Sequence, residues 1–187
     1  MSGGGSWNVL VGYNGTMPRD GRTGLVIPVP AADEALAWVS ERYPEAVRDG
    51  VPAHLSLLYP FLAAGDLDAG VLTALRGLFD RQPPMRVVLA RCHRRGGFVY
   101  LVPEPVAPVR DLIGALRGGW PAPVAHRGRG EEVEPHVTVA MGVAERTAAV
   151  IQRETSESLP LTVELSEVWL VVLRGRWRLH GRFAFGG

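Results

Sequence analysis

Ala53-His54-Leu55-Ser56-Leu57 and Pro135-His136-Val137-Thr138-Val139 share one frame, His-x-Ser/Thr, in opposite halves of a 187-residue chain. Successive side chains of a β-strand point to opposite faces. In the first copy His54 and Ser56 therefore project one way while Ala53, Leu55 and Leu57 project the other. In the second, His136 and Thr138 stand against Val137, Val139 and Met141. Two strands each offer an imidazole and a hydroxyl on the face turned away from the apolar residues. A histidine beside a strand hydroxyl also describes an ordinary hydrogen-bonded surface pair, and one copy alone decides nothing. Here two of only five histidines occupy the same frame at the same phase of an apolar alternation, which turns the balance toward a pair of matched half-sites.

Outward from the motifs the chain alternates strands and helices. Leu25 to Val29 reads as a strand ended by Pro30. Ala32 to Tyr43 follows as a helix, with Leu36, Val39 and Tyr43 at helical spacing and Pro44 as its stop. Val51 to Leu58 is the first motif strand. Asp66 to Phe79 is a helix with an apolar stripe of Val71, Leu72, Leu75, Leu78 and Phe79 and with Asp66 or Asp68 as its cap. Met85 to Cys92 and Gly97 to Val102 flank Arg94-Arg95-Gly96 as a hairpin. A helix within Pro105 to Leu116 leads to a loop over Pro121 to Glu134, rich in proline, glycine and charge. The second motif strand spans Pro135 to Met141 and is followed by a helix from Ala144 to Ser156. Leu161 to Leu173 and Arg176 to Phe185 read as a final hairpin turned near Gly175. The order is a loose internal duplication. Hairpins outnumber crossover units, so the expected fold class is α+β: bilobal, two antiparallel sheets with flanking helices, and a central groove carrying the paired motifs. Residues 1 to 23, rich in glycine and turn formers apart from Trp7 to Val11, are expected to form a flexible leader to a single domain over residues 24 to 187.

These runs carry a resemblance. The paired motifs, the stretch His54-Leu-Ser-Leu-Leu-Tyr-Pro-Phe61, the stretch Pro135-His-Val-Thr-Val-Ala140 and the opening strand Leu25-Val-Ile-Pro-Val-Pro30 resemble the two-histidine (2H) phosphoesterase superfamily, in particular its branch of bacterial 2′-5′ RNA ligases and cyclic phosphodiesterases. The likeness covers roughly Gly24 to Phe185. It implies the same two-lobed architecture, a phosphodiester substrate at a ribose 2′ or 3′ oxygen, and no preference among substrates within the superfamily.

The chemistry suits those residues. Making or breaking a phosphodiester needs one group to take a proton from the attacking oxygen and another to give one to the departing oxygen. Histidine, with an unperturbed pKa near 6.5, does either at neutral pH. His54 and His136 are the candidate acid and base, and the sequence does not say which is which. The hydroxyls of Ser56 and Thr138, two residues on along the same strand face, can donate to the non-bridging phosphate oxygens. A catalytic zinc site takes three protein ligands, and neither motif has a carboxylate or second histidine at ligand spacing; the expectation is no metal and no cofactor. Ser56 lacks the setting of a serine nucleophile.

Other residues carry two readings each. Arg174, Arg176, Arg178, His180 and Arg182 alternate with Trp177, Leu179, Phe183 and Phe185 and give one basic face, which either lines the groove or protects a sheet edge in solvent. Tyr59, Phe98 and Tyr100 either stack on a base or pack in the core. Arg178, His180, Tyr59 and Tyr100 are thus further candidates for substrate binding. His93 and His126 sit in or beside turns and are expected to be exposed, His126 in a loop over the site, and Trp38 and Trp120 read as structural.

Composition bounds the partners. Twenty basic against nineteen acidic residues leave a net charge of +1, which does not provide the broad positive surface of a protein that grips duplex DNA. The expected partner is a nucleotide or short RNA bearing a cyclic or 2′,5′ phosphate. One cysteine, Cys92, precludes an intramolecular disulfide. No apolar run approaches the roughly 20 residues of a membrane span, and Met1 to Ser6 lacks the pattern of a signal peptide, so the expected location is the cytoplasm. Three functions fit: hydrolysis of a 2′,3′-cyclic phosphate or 2′,5′-linked nucleotide, with RNA ligation as its reverse; the same chemistry on a small-molecule phosphate outside RNA metabolism; or nucleotide binding without turnover.

Overall fold

Both motif strands form, and they pair with each other. The computed structural model describes residues 20–47, 50–120 and 134–187. Its elements run β1 (Thr23–Pro28), α1 (Pro30–Ala35), α2 (Ala37–Arg42), β2 (His54–Leu58), α3 (Ala69–Phe79), β3 (Met85–Arg95), β4 (Phe98–Glu104), α4 (Ala107–Gly119), β5 (Val137–Ala140), α5 (Glu145–Ser156), β6 (Leu161–Leu165), β7 (Glu167–Arg174) and β8 (Arg176–Ala184). The α+β class stands. Instead of two sheets, however, the described strands make one antiparallel sheet of eight in the order β6-β3-β4-β5-β2-β1-β7-β8. The cause is a single register pair, Leu55 opposite Val137, which joins two four-stranded halves at their motif strands.

The run Leu161 to Leu173, expected as one strand, divides at Ser166. Its first part pairs with β3 at one end of the sheet and its second with β1 and β8 at the other. With only one residue between them, β6 and β7 hold distant sheet positions, so the sheet must curl to bring its ends together. The helix over residues 32–43 likewise breaks in two at Leu36, whose φ of −105° and ψ of 3° leave the helical range. β1 starts at Thr23, within the span read as leader, whereas residues 1–19 lie outside the described residues, as do residues 121–133 with His126.

One face of the sheet is covered by helices. Leu55, Leu57, Val137 and Val139 point there, each at most 3% exposed, into a core that α3, α4 and α5 close over β8, β2, β3 and β4. The sequence explains these lids. In α3 the Asp68 carboxylate accepts from the Val71 backbone N–H at 2.8 Å and caps the helix, removing one of its orphan donors. In α4 Val109, Leu112, Ile113 and Leu116 recur at helical spacing and are all buried. Trp38 and Trp120, partly buried against this core, meet Tyr43 and Phe61 edge-on. The odd phase of each motif strand goes into the core. The even phase, with His54, Ser56, His136 and Thr138, is left on the opposite face.

Candidate active site

The register at the seam decides how the motif side chains meet. Leu55 opposes Val137 in an antiparallel pair; continued one residue either way, that register sets His54 across from Thr138 and Ser56 across from His136. Opposed Cβ atoms on one sheet face lie about 4.5–5.5 Å apart. Each imidazole thus faces the hydroxyl of the other motif, and the four groups form a compact quartet at the junction of the two half-sheets.

Both imidazoles are held in the same way. His54 Nδ1 lies 2.7 Å from the carbonyl oxygen of Pro52, and His136 Nδ1 lies 2.8 Å from that of Glu134. In each motif the partner is two residues back. A carbonyl can only accept, so the donated proton sits on Nδ1 in both rings, and Nε2 is the nitrogen with proton-accepting capacity. Two residues from different halves of the sequence therefore share tautomer, anchor and orientation. Bonds of this kind, to the nitrogen that does not react, fix ring direction in sites where histidine moves protons.

The two flanks of the quartet differ. On the β5 side β4 contributes Phe98 and Tyr100, with Tyr100 opposite Thr138. Phe98 and Tyr100 stack with centroids 5.0 Å apart, and the edge of His136 approaches both, at 5.3 and 5.7 Å. His93 on β3, expected to be exposed, is half-buried and stacks on Tyr100 at 5.5 Å. This flank is an aromatic ladder. On the β2 side a shallow concavity lies against His54 and Ser56, walled by Gly24, Val26, Val171, Tyr59 and Trp177. Tyr59, 37% exposed, meets Trp177 edge-on at 5.5 Å. A Cβ on Gly24 would come within 3.2 Å of the Tyr59 ring, so glycine keeps this floor low.

The basic strand is not one face. A register shift between Leu170 and Val171 places Gly181 opposite Leu170 but Leu179 opposite Val171, and the alternation inverts there. Trp177 and Leu179 consequently join the site face, Arg176 and Arg178 the opposite one, and His180 falls in the bulge. Beyond the shift Arg182 pairs with Trp169, which pairs with Val26, and these return to the site face. The structure thus brings His54, Ser56, His136, Thr138, Tyr59 and Tyr100 to one surface and leaves Arg178 off it. Sequence reasoning missed Trp169 and the wall formed by Trp177. Trp169 hides in an apolar run, and the alternation assigns Trp177 to the same face as Phe183, which instead packs on Phe79 at 5.6 Å. Among the described residues no three of the His, Cys, Asp and Glu side chains converge as a metal-binding set, and no helix is long and apolar enough to cross a membrane.

Comparison with known proteins identifies the family and the fold. The model of the 2′-5′ RNA ligase superfamily matches residues 27–177. Among solved structures, Escherichia coli LigT complexed with 3′-AMP superposes with a TM-score of 0.58 at 21% identity, over 90% of this chain and 99% of that one. LigT complexed with NADP+ gives 0.54 at 23% identity over the same shares. The protein TT0787 of Thermus thermophilus gives 0.55 at 18% identity, over 89% of this chain and 98% of the other. These likenesses establish the fold. No protein of curated function matches the sequence.

Proposed function

Because the chain belongs to the 2′-5′ RNA ligase superfamily, whose activity is of the two-histidine phosphoesterase type, we propose that it hydrolyses a 2′,3′-cyclic phosphate or a 2′,5′-linked nucleotide without a metal. The observation that carries this reading is the matched pair of Nδ1 anchors, to Pro52 and to Glu134. Both leave a proton-exchanging Nε2 on the same sheet face as two hydroxyls.

In the mechanism His54 and His136 stand on either side of the scissile phosphorus. One neutral ring removes a proton from the attacking water through Nε2, while the other, protonated, delivers its Nε2 proton to the departing ribose oxygen. Bond formation to phosphorus and cleavage of the P–O bond leave the two rings with exchanged protonation states, and solvent restores them. Ser56 and Thr138 donate to the non-bridging oxygens as charge gathers there. General acid and base catalysis of this kind contributes typically 10²–10⁴-fold per group, and well-placed donors to a developing oxyanion about 10²–10³-fold. With a ribose 5′-hydroxyl in place of water, the same steps open the cyclic phosphate into a new phosphodiester and the site joins ends; run backwards they cleave that linkage to the cyclic phosphate. The ladder of Phe98 and Tyr100 stacks a nucleobase, while Tyr59 bounds the opposite end of the substrate.

Support for a nucleotide comes also from the complexes of E. coli LigT with 3′-AMP, ATP and NADP+. The test is a panel of the four 2′,3′-cyclic nucleotides assayed with chelator present. Turnover that persists with chelator and yields a nucleoside monophosphate agrees with the reading. A folded protein that converts none of the four and no 2′,5′-linked dinucleotide overturns it.

A further inference from the structure

The site face extends past the quartet along one cross-strand row: Ser56 opposite Val26, Val26 opposite Trp169, Trp169 opposite Arg182. The row ends in a built cation. The Arg182 guanidinium lies over the Trp169 ring at 4.8 Å from its centroid. That ring is itself fixed, because its indole N–H donates to the Glu167 carboxylate at 2.8 Å. Arginine favours an aromatic face, and the stack orients its planar fork while leaving the edge N–H groups outward. Among the described residues Arg182 makes no ion pair, and it is exposed. Glu167 is the nearby carboxylate on this face, and it is turned to the indole.

Between this cation and the quartet the floor is apolar. Val26, 4% exposed, and the Trp169 ring separate Ser56 from the guanidinium. Trp169 stands two strands from Ser56, about 10 Å at the usual inter-strand spacing, and the guanidinium lies back over it. By that spacing an anion held there lies on the order of 10 Å from a phosphate at the quartet.

We propose that Arg182 on its Trp169 platform is a second phosphate site, which binds a further phosphate of the same substrate whose reacting phosphate occupies the histidine quartet. This rests on the proposed function above for the first phosphate. The favoured substrates are nucleotides with an additional phosphate on the nucleoside or in the next linkage of a short oligonucleotide, over mononucleotides with one phosphate. The device became possible only through the β8 bulge, which returns Arg182 to the face that Arg178 leaves.

The experiment is calorimetry of adenosine 3′-monophosphate and adenosine 3′,5′-bisphosphate binding to the full chain at fixed ionic strength. Wild type is compared with Arg182→Ala, Arg182→Gln and, as a charge-matched control on the exposed side of α4, Arg117→Ala. The expected result is tighter binding of the bisphosphate by about tenfold or more, the lower range for a hydrogen bond to a charged group. That gain should vanish in both Arg182 variants and survive in Arg117→Ala, with monophosphate affinity unchanged throughout. The 3′-5′ linked cyclic-phosphate dinucleotide, assayed for KM, then separates an oligonucleotide from a phosphorylated nucleoside as the natural source. A bisphosphate gain that is absent, or that persists without Arg182, overturns the second site while leaving the quartet reading intact. Absence of binding by either ligand overturns both. Thermal melts identify any variant that has not folded, and the glutamine variant, which keeps most of the side chain, decides if alanine fails.

Discussion

Leu55→Ala tests whether the seam between the half-sheets sets catalytic geometry. Leu55 is fully buried, and its truncation costs about 2–5 kcal/mol through lost burial and the residual cavity. For a domain of this size one kcal/mol moves the melting midpoint by about 2–4 °C, so the midpoint falls by about 4–20 °C. Leu75→Ala, equally buried but on α3, is expected to fall within the same range. The two differ in function. Leu55 is the residue whose register with Val137 sets His54 opposite Thr138, and a displacement near 1 Å in such a site can cost about 10²-fold. Assayed by cyclic-nucleotide turnover well below both midpoints, Leu55→Ala should lose about tenfold or more in kcat/KM, and Leu75→Ala less than about threefold, relative to the tenfold-per-1.4 kcal/mol scale. Equal losses in the two variants would refute the claim that this pair aligns the histidines.

Further predictions concern the support of the site. Gly50 has φ of +87° and an added Cβ would strike the Trp177 carbonyl, whereas Gly96, φ +58°, has open space around it. Gly96→Ala should cost only the left-handed backbone penalty of about 1–2 kcal/mol, and Gly50→Ala measurably more, read as the difference in their denaturant midpoints. Asp68→Ala removes the cap that accepts from Val71 N–H and should cost about 0.5–2 kcal/mol, with turnover unchanged below the midpoint. Burial pushes the Cys92 thiol from 9.0 up to about 11. The native protein therefore keeps this proton more tightly than the unfolded chain does: its effect is constant below pH 9, and stability falls as pH rises from 9 toward 11. Denaturation curves at pH 8 and 10.5 for wild type and Cys92→Ala should show that loss in wild type in excess of the variant. A disulfide reagent at pH 8 should label Cys92 only after unfolding.

The motifs were legible because they rely on the local period of two. Leu55, Leu57, Val137 and Val139 alternate with the histidines and hydroxyls, and the core takes the apolar phase. The Nδ1 anchors were not legible, since they depend on backbone carbonyls whose direction no side chain records. The single sheet escaped for a related reason. A strand's pattern tells which face is buried, not which distant strand it pairs with, and Leu55 opposite Val137 is such a long-range choice. The division at Ser166 carries neither glycine nor proline, so Leu161 to Leu173 looks continuous although it serves both ends of the sheet. In β8 the alternation of arginine with apolar residues continues unbroken in sequence while the bulge inverts it in space. That is why Trp177 and Arg182 share a face that the pattern assigns to only one of them.

The central claim is that two imidazoles divide one proton-transfer task, and it is tested most directly by single-turnover rates of wild type, His54→Ala, His136→Ala and the double variant on the best 2′,3′-cyclic nucleotide. The account predicts a loss of about 10²–10⁴-fold in each single variant and a double variant little worse than either, because the groups act as a unit, with melting midpoints near wild type. A folded single variant that retains more than about a tenth of the wild-type rate would contradict it.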